Sequence, residues 1–264
     1  MSTPVTLEVS DDIALIGLSR PGNGNAIDLP MARGLRDAVT EVGSMPTVGA
    51  VVLFGRGEQF CVGGDLQVFA TAAAPGQFLA ELAGTAHEAV LGLRSLPIPV
   101  ISAVHGACAG GGIGFALAAD LVLAERTARF VVAYTAAGLS PDCGVSWTLT
   151  KVLGPARAND LILTNRRLDG TEAERLGLVS RVVEPGTVYE EALRLARSLA
   201  EGPRRALAHS AQLVREAGAA PLTEHLQREA ESIASLIETP DGSEGIAAFL
   251  QKRRPDFTST RLRN

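Results

Sequence analysis

An α/β fold with a helical C-terminal appendage follows from three features of the sequence. Strand and helix signals alternate through the first two thirds of the chain. Several strand-length runs, among them Val48–Phe54 and Val100–Val104, are apolar without alternation, as strands buried on both faces are. After Val183 strand signals vanish, and charged helices with an apolar stripe take over.

The elements follow in order. Val5–Val9 and Ile13–Leu18 read as a hairpin turning near Asp11-Asp12. Arg20 to Asp28 is rich in Gly, Asn and Pro and must form a loop. Pro30 suits the first turn of a helix running to about Gly43. The strand Val48–Phe54 ends at Gly55-Arg56-Gly57. Gly76 to Arg94 carries helical spacing in Phe78, Leu82, Ala86, Ala89, Val90 and Leu93, and Pro97 and Pro99 end it. Val100–Val104 is the next strand, Gly111–Ala119 a helix, and Asp120–Ala124 and Arg129–Val132 two more strands. The repeated strand-strand-helix cycle is one of pattern, not of residue identity. Helices are then expected at Glu190–Ala200, Pro203–Ala217, Leu222–Glu238 and Ser243–Arg253, with Leu222, Leu226, Ile233, Leu236 and Ile237 striped on the third. Pro255 to Asn264 reads as a tail. The expected division is a core over 1–200 and a helical region over 201–264.

Bulk composition narrows the function classes. Net charge is −5 with no dense basic block, which argues against nucleic acid or an anionic membrane as the main partner. Ile98 to Ala119 carries no formal charge, but Gly106, Gly110, Gly111, Gly112 and Gly114 favour tight turns over a membrane-spanning helix. Cys61, Cys108 and Cys143 lack CxxC spacing, and Met1–Ser10 lacks an export pattern, so reduced thiols in a cytoplasmic protein are expected. No spacing of His, Cys and carboxylates points to a metal site.

Two stretches carry chemistry. Phe60-Cys61-Val62-Gly63-Gly64-Asp65-Leu66 lies between a strand and a helical region, and Val104 to Gly114 again runs from strand through loop to helix start. Glycines at such turns leave backbone N–H groups bare, and the helix N-terminus adds partial positive charge. Read alone, each is as well explained by a tight turn; together they can supply converging donors for an oxyanion. Neither lysine, Lys151 or Lys252, follows a glycine as a phosphate loop requires, and the glycines lie too far along the chain for a dinucleotide fold.

At these residues the sequence resembles the crotonase superfamily, the enoyl-CoA hydratase/isomerase family. The matching segments are Arg20-Pro21 with Asn25-Ala26, Phe60 to Leu66, Gly106 with Gly110–Gly112, Asp120, Gly138-Leu139-Ser140-Pro141, Gly154 to Ala158, Ala173 to Leu178 and Glu244 to Phe257. The resemblance implies a spiral of strand-strand-helix turns, a C-terminal helical region that builds trimers or dimers of trimers, and an acyl-CoA substrate with no further cofactor. It carries the oxyanion-hole donors over to the N–H groups of Gly64 and Gly111. It puts Ala26 at the substrate, and Phe249 and Lys252 near the nucleotide end of a CoA bound to a neighbouring subunit; Tyr134 reads either as a hydrogen-bond donor to substrate or as a filler of the space a glutamate would occupy. A core contact explains Phe249 equally well.

The departures from the family pattern matter more. The two hydratase glutamates would stand at 114 and 134, where this chain has Gly114 and Tyr134. Glycine has no acid or base, and a phenol is a poor base at neutral pH. Asp142 is the carboxylate available. The run Pro141-Asp142-Cys143-Gly144-Val145-Ser146-Trp147 is similar to the epoxyphenylacetyl-CoA isomerase branch, and Asp142 could alternatively cap a helix starting near Gly144. Asp65 and Asp120 read as structural caps, His105 as a structural histidine and Cys143 as a buried thiol. The expectation is an isomerase with Asp142 as proton shuttle. The alternatives are a fatty-acid enoyl-CoA hydratase and a non-catalytic acyl-CoA-binding protein.

Overall fold

The computed structural model describes residues 3–261. Among the described residues, nine strands form two sheets. The larger has the order β1 (Val5–Ser10), β2 (Ile13–Leu18), β3 (Ala50–Gly55), β4 (Val100–Val104), β6 (Leu121–Glu125) and β9 (Arg181–Val183), parallel throughout except for the β1–β2 hairpin. The smaller joins β5 (Ala107–Ala109), β7 (Arg129–Val131) and β8 (Leu168–Asp169). Asp11 and Asp12, both at positive φ, make the hairpin turn where expected.

The cycle is now concrete. β4 enters the large sheet, β5 the small one, and helix α4 follows; β6 and β7 repeat the pattern. After β3 the second strand of the cycle shrinks to isolated bridges, Cys61 with Cys108 and Ile27 with Gly64. The Cys61–Cys108 bridge lays the two glycine turns side by side, and the Ile27–Gly64 bridge ties the 20–28 loop to the first of them. This is the crotonase-type spiral that the resemblance implies.

Period-2 alternation sends successive side chains of the large sheet to opposite faces. Ala14, Ile16, Leu18, Val51 and Leu53 pack with α1 (Leu29–Gly43) and α3 (Pro75–Ser95). Ile13, Ala50, Val52, Ile101, Ala103 and Leu123 pack with Val188, Ala192, Ala196 and Ala200 of α8 (Val188–Ala200). Both faces are covered, which explains the unbroken apolar runs. Asp28 caps α1 by accepting from the Met31 amide.

The uncharged stretch from Ile98 resolves into β4, β5 and α4 (Gly111–Leu117), and no helix among the described residues is long and apolar enough to cross a membrane. The intermediate helices are α2 (Leu66–Thr71), α5 (Val145–Leu153), α6 (Pro155–Thr164) and α7 (Gly170–Arg175), followed after α8 by α9 (Arg204–Glu216), α10 (Leu222–Ile237) and α11 (Pro240–Leu250).

Three expectations need correction. Residues 257–261 form a short helix, α12 (Phe257–Arg261), because Asp256 accepts the amides of Thr258 and Ser259; residues 262–264 of the expected tail lie outside the described chain. Asp65 sits at the N-cap of α2 but its carboxylate does not cap; it takes Arg20 Nη2 at 3.1 Å and Asn23 Nδ2 at 2.8 Å. Asp120 holds Arg215 of α9 through two bonds of 2.8 and 2.6 Å and the Val100 amide at 2.9 Å, so it ties the helical region to the core rather than capping a helix.

Candidate active site

The first loop is built around Asn25, fully buried at positive φ. Its Nδ2 donates to the carbonyls of Arg56, Gln59 and Phe60, and its Oδ1 accepts the Arg20 amide. This bracket, with the Arg20–Asp65 pair, fixes the loop against the first glycine turn.

The second turn packs onto the first with no room to spare. A Cβ on Gly63 would lie 3.0 Å from the Ala109 carbonyl oxygen, and one on Gly112 would lie 2.6 Å from that of Cys61. Glycine is needed here for close approach, which sequence reading alone left equal to a plain turn. Gly64 and Gly111 both line a cavity of about 370 Å³. Among the described residues neither amide has an acceptor; Gly111 opens α4, where the first N–H groups point out of the helix. Two free donors therefore face one space, at the positive end of a helix of seven residues.

The opposite wall comes from residues 132–143. Tyr134 and Asp142 both line the cavity, and the Tyr134 hydroxyl donates to Asp142 Oδ1. Burial, then the neighbouring carboxylate, drives the Tyr134 phenol far above its ordinary value, so it stays a proton donor to Asp142. Asp142 brings the cavity lining its one formal charge. The remaining wall is apolar, from Ile27, Leu66, Phe69, Leu79, Leu82 and the small residues Ala80, Ala83 and Ala86 of α3. The Asp142 carboxylate does not cap α5: Gly144 holds the N-cap, with no side-chain bond, and Asp142 offers only its carbonyl to Val145.

At position 114 the structure leaves no side-chain space. A Cβ there would stand 2.3 Å from the Cys143 carbonyl oxygen and 2.5 Å from Cys143 Cβ. The 141–144 loop occupies the space, with Cys143 at positive φ. Cys143 is buried; burial first and Asp142 next raise its thiol well above the ordinary range. Burial likewise pushes the Cys61 thiol up to about 12.

Four of the predicted site residues meet: Gly64, Gly111, Tyr134 and Asp142. Ala26 stands one residue outside the lining; its carbonyl accepts from Arg20, and Ile27 faces the cavity instead. Phe249, 82% exposed at the end of α11, and Lys252, exposed just beyond it, lie outside the cavity lining. His105 bonds the Gly57 carbonyl at 2.9 Å, as a structural histidine does. Sequence reading missed His87, on α3, whose Nε2 accepts the Cys143 amide at 3.1 Å. It stands 56 residues from its partner, and no local signal marks it.

Comparison with known proteins agrees with this geometry. The sequence pattern of the enoyl-CoA hydratase/isomerase family matches residues 8–260. "Probable enoyl-CoA hydratase echA8" of Mycobacterium tuberculosis is 34% identical, over 96% of this chain and 97% of its own. The 1,2-epoxyphenylacetyl-CoA isomerase of Escherichia coli is 35% identical, over 95% and 96%. The crystal structure of an enoyl-CoA hydratase from Polaromonas sp. JS666 superposes with a TM-score of 0.91 at 35% identity, covering 96% of this chain and 98% of that one. With the spiral, the paired glycine turns and this match over nearly its whole length, the chain belongs to the enoyl-CoA hydratase/isomerase family.

Proposed function

We infer that the protein is an enoyl-CoA isomerase in which Asp142 carries the proton. The observation that supports this best is a single carboxylate in an otherwise uncharged cavity, across from two unpartnered backbone donors. The thioester oxygen accepts from the Gly64 and Gly111 amides. Asp142 removes a proton from C2; the C–H pair becomes the C1=C2 bond of a dienolate, and the carbonyl π pair moves onto the thioester oxygen, which carries the charge. The enolate then collapses: the carbonyl reforms, the C1=C2 pair becomes C2=C3, and the C3=C4 pair takes the proton from Asp142 at C4, so the double bond has moved from 3,4 to 2,3. Tyr134 engages Oδ1, so the other carboxylate oxygen is the one that shuttles. A ring epoxide on a CoA thioester needs the same two elements, an enolate cradle and one mobile proton.

Hydration is the second reading, favoured by the hydratase names among the relatives. It needs a second acid–base group, and Gly114 has neither the group nor the room for one. The test offers a 3-enoyl-CoA, a 2-enoyl-CoA and an epoxyphenylacetyl-CoA in parallel, with products separated by chromatography and identified by mass. Isomerised product is expected. Fast hydration of crotonyl-CoA would overturn the reading, and binding without any product would favour a non-catalytic acyl-CoA-binding protein.

Self-association through the C-terminal helices belongs to the same reading. Leu222, Leu226, Ile233 and Ile237 of α10, and Phe249 and Leu250 of α11, are all more than half exposed. Exposed large apolar side chains grouped on two helices suit burial against a second copy of the chain. A homotrimer or dimer of trimers is expected by light scattering, with Phe249 and Lys252 then available to a neighbour's CoA.

A further inference from the structure

His87, Asp142 and Cys143 form a cluster that the isomerase chemistry uses only in part. One ligand atom from each lies within 4.8 Å of the other two. Each is a zinc ligand type: an imidazole nitrogen, a carboxylate oxygen and a sulfur. We propose that this cluster is an inhibitory site for a borderline-soft divalent cation, Zn²⁺ being the best fit, which closes over the carboxylate and blocks proton transfer.

The geometry needs little movement. Ligand atoms of a tetrahedral zinc, bound at roughly 2.0–2.3 Å, stand roughly 3.3–3.8 Å apart. Separations of up to 4.8 Å therefore close by about 1 Å. The movement falls to His87, which is exposed on α3, while Cys143 is buried in the loop before α5. Among the described residues, no lysine or arginine lines the cavity to repel a cation.

The Cys143 sulfur and an Asp142 carboxylate oxygen lie within 4.8 Å of each other and of a His87 ring nitrogen, so one ion can reach all three. Zn²⁺ takes the place of the thiol proton, which leaves to solvent as the Zn–S bond forms. His87 gives up its bond to the Cys143 amide or offers its other ring nitrogen. Water from the cavity fills the fourth position, as in open zinc sites. Hard ions such as Mg²⁺ are disfavoured, since sulfur and imidazole are poor ligands for them. The inhibition rests on the proposed role of Asp142; the binding does not.

The experiment titrates the chelator-treated full-length protein with Co²⁺ and then Zn²⁺. Expected are one ion per chain, proton release, and a sulfur-to-cobalt charge-transfer band that Zn²⁺ displaces. His87→Gln and Cys143→Ser should each weaken Zn²⁺ binding at least tenfold, and stoichiometric Zn²⁺ should abolish isomerisation reversibly while Mg²⁺ has no effect. A cobalt complex without the sulfur band, or Zn²⁺ binding unchanged in both variants, overturns the proposal. If the protein proves not to be an isomerase, the cobalt spectrum still decides the site; if the spectrum fails, the isomerase assay stands untouched.

Discussion

The two walls of the cavity are built on different principles. On one side, the Gly64 and Gly111 donors are backbone groups held by strand bridges and by the neighbouring Gly63 and Gly112, where a Cβ would press on the backbone of the other turn at 3.0 and 2.6 Å. On the other, Tyr134 opens a short 3-10 turn at Thr135–Ala137, and Asp142 rides on the loop between that turn and α5. A backbone donor does not depend on which side chain stands at its position, so the cradle suits any reaction that passes through a thioester enolate. The side-chain wall decides which reaction follows. Here that wall has exchanged a side chain at 114 for the packed Cys143 backbone and offers an aspartate held by a phenol.

The sharpest way to break this division is Asp142→Asn. Isomerisation should fall by about 10²–10⁴-fold, the usual worth of a general base, while acyl-CoA affinity measured by calorimetry stays close to wild type. Full activity would return the proton to another group.

Next in size is Gly111→Pro. The first helical position accepts proline, so the variant removes one N–H with least harm to the helix. Loss of one oxyanion donor costs about 10²–10³ in kcat. Circular dichroism must show that α4 survives, because a Cβ at this position stands 3.0 Å from Ile27 Cδ1.

Tyr134→Phe tests how far the base depends on its holder. A hydrogen bond to a charged group contributes about 1.5–3 kcal/mol, so a loss of at least about tenfold in kcat is expected, with KM little changed. An equal loss in KM would assign the hydroxyl to substrate binding instead.

The smallest effect on chemistry is expected from Gly114→Glu, which restores the hydratase residue type. It should yield no hydration and should lower stability by about 3 kcal/mol in urea unfolding, as overpacking against backbone does. Appearance of crotonyl-CoA hydration would show that the 141–144 loop can yield.

Much of the framework was legible in sequence because it depends on local pattern. The proline at 30, the glycines at 63–64 and 110–112 and the apolar runs at 50–55 and 100–104 each announce their element. Short strands escaped notice: β5, β8 and β9 have two or three residues, too few to show a period. Asp120 and Asp65 were read as caps from position alone, whereas their partners, Arg215 and Arg20, stand 95 and 45 residues away.

By itself the sequence determined the α/β layout with its helical appendage, the two glycine turns and the absence of a carboxylate at 114 and 134, since these rest on residue identity and short-range propensity; the spiral was implied only by the family resemblance. Only the tertiary structure decided that the turns abut, that Tyr134 grips Asp142, that Cys143 fills the space beside Gly114, and that His87 joins them from another helix. The reason is physical: side-chain hydrogen bonds and van der Waals collisions act over a few ångströms, and distance along the chain does not reveal which residues the spiral brings that close.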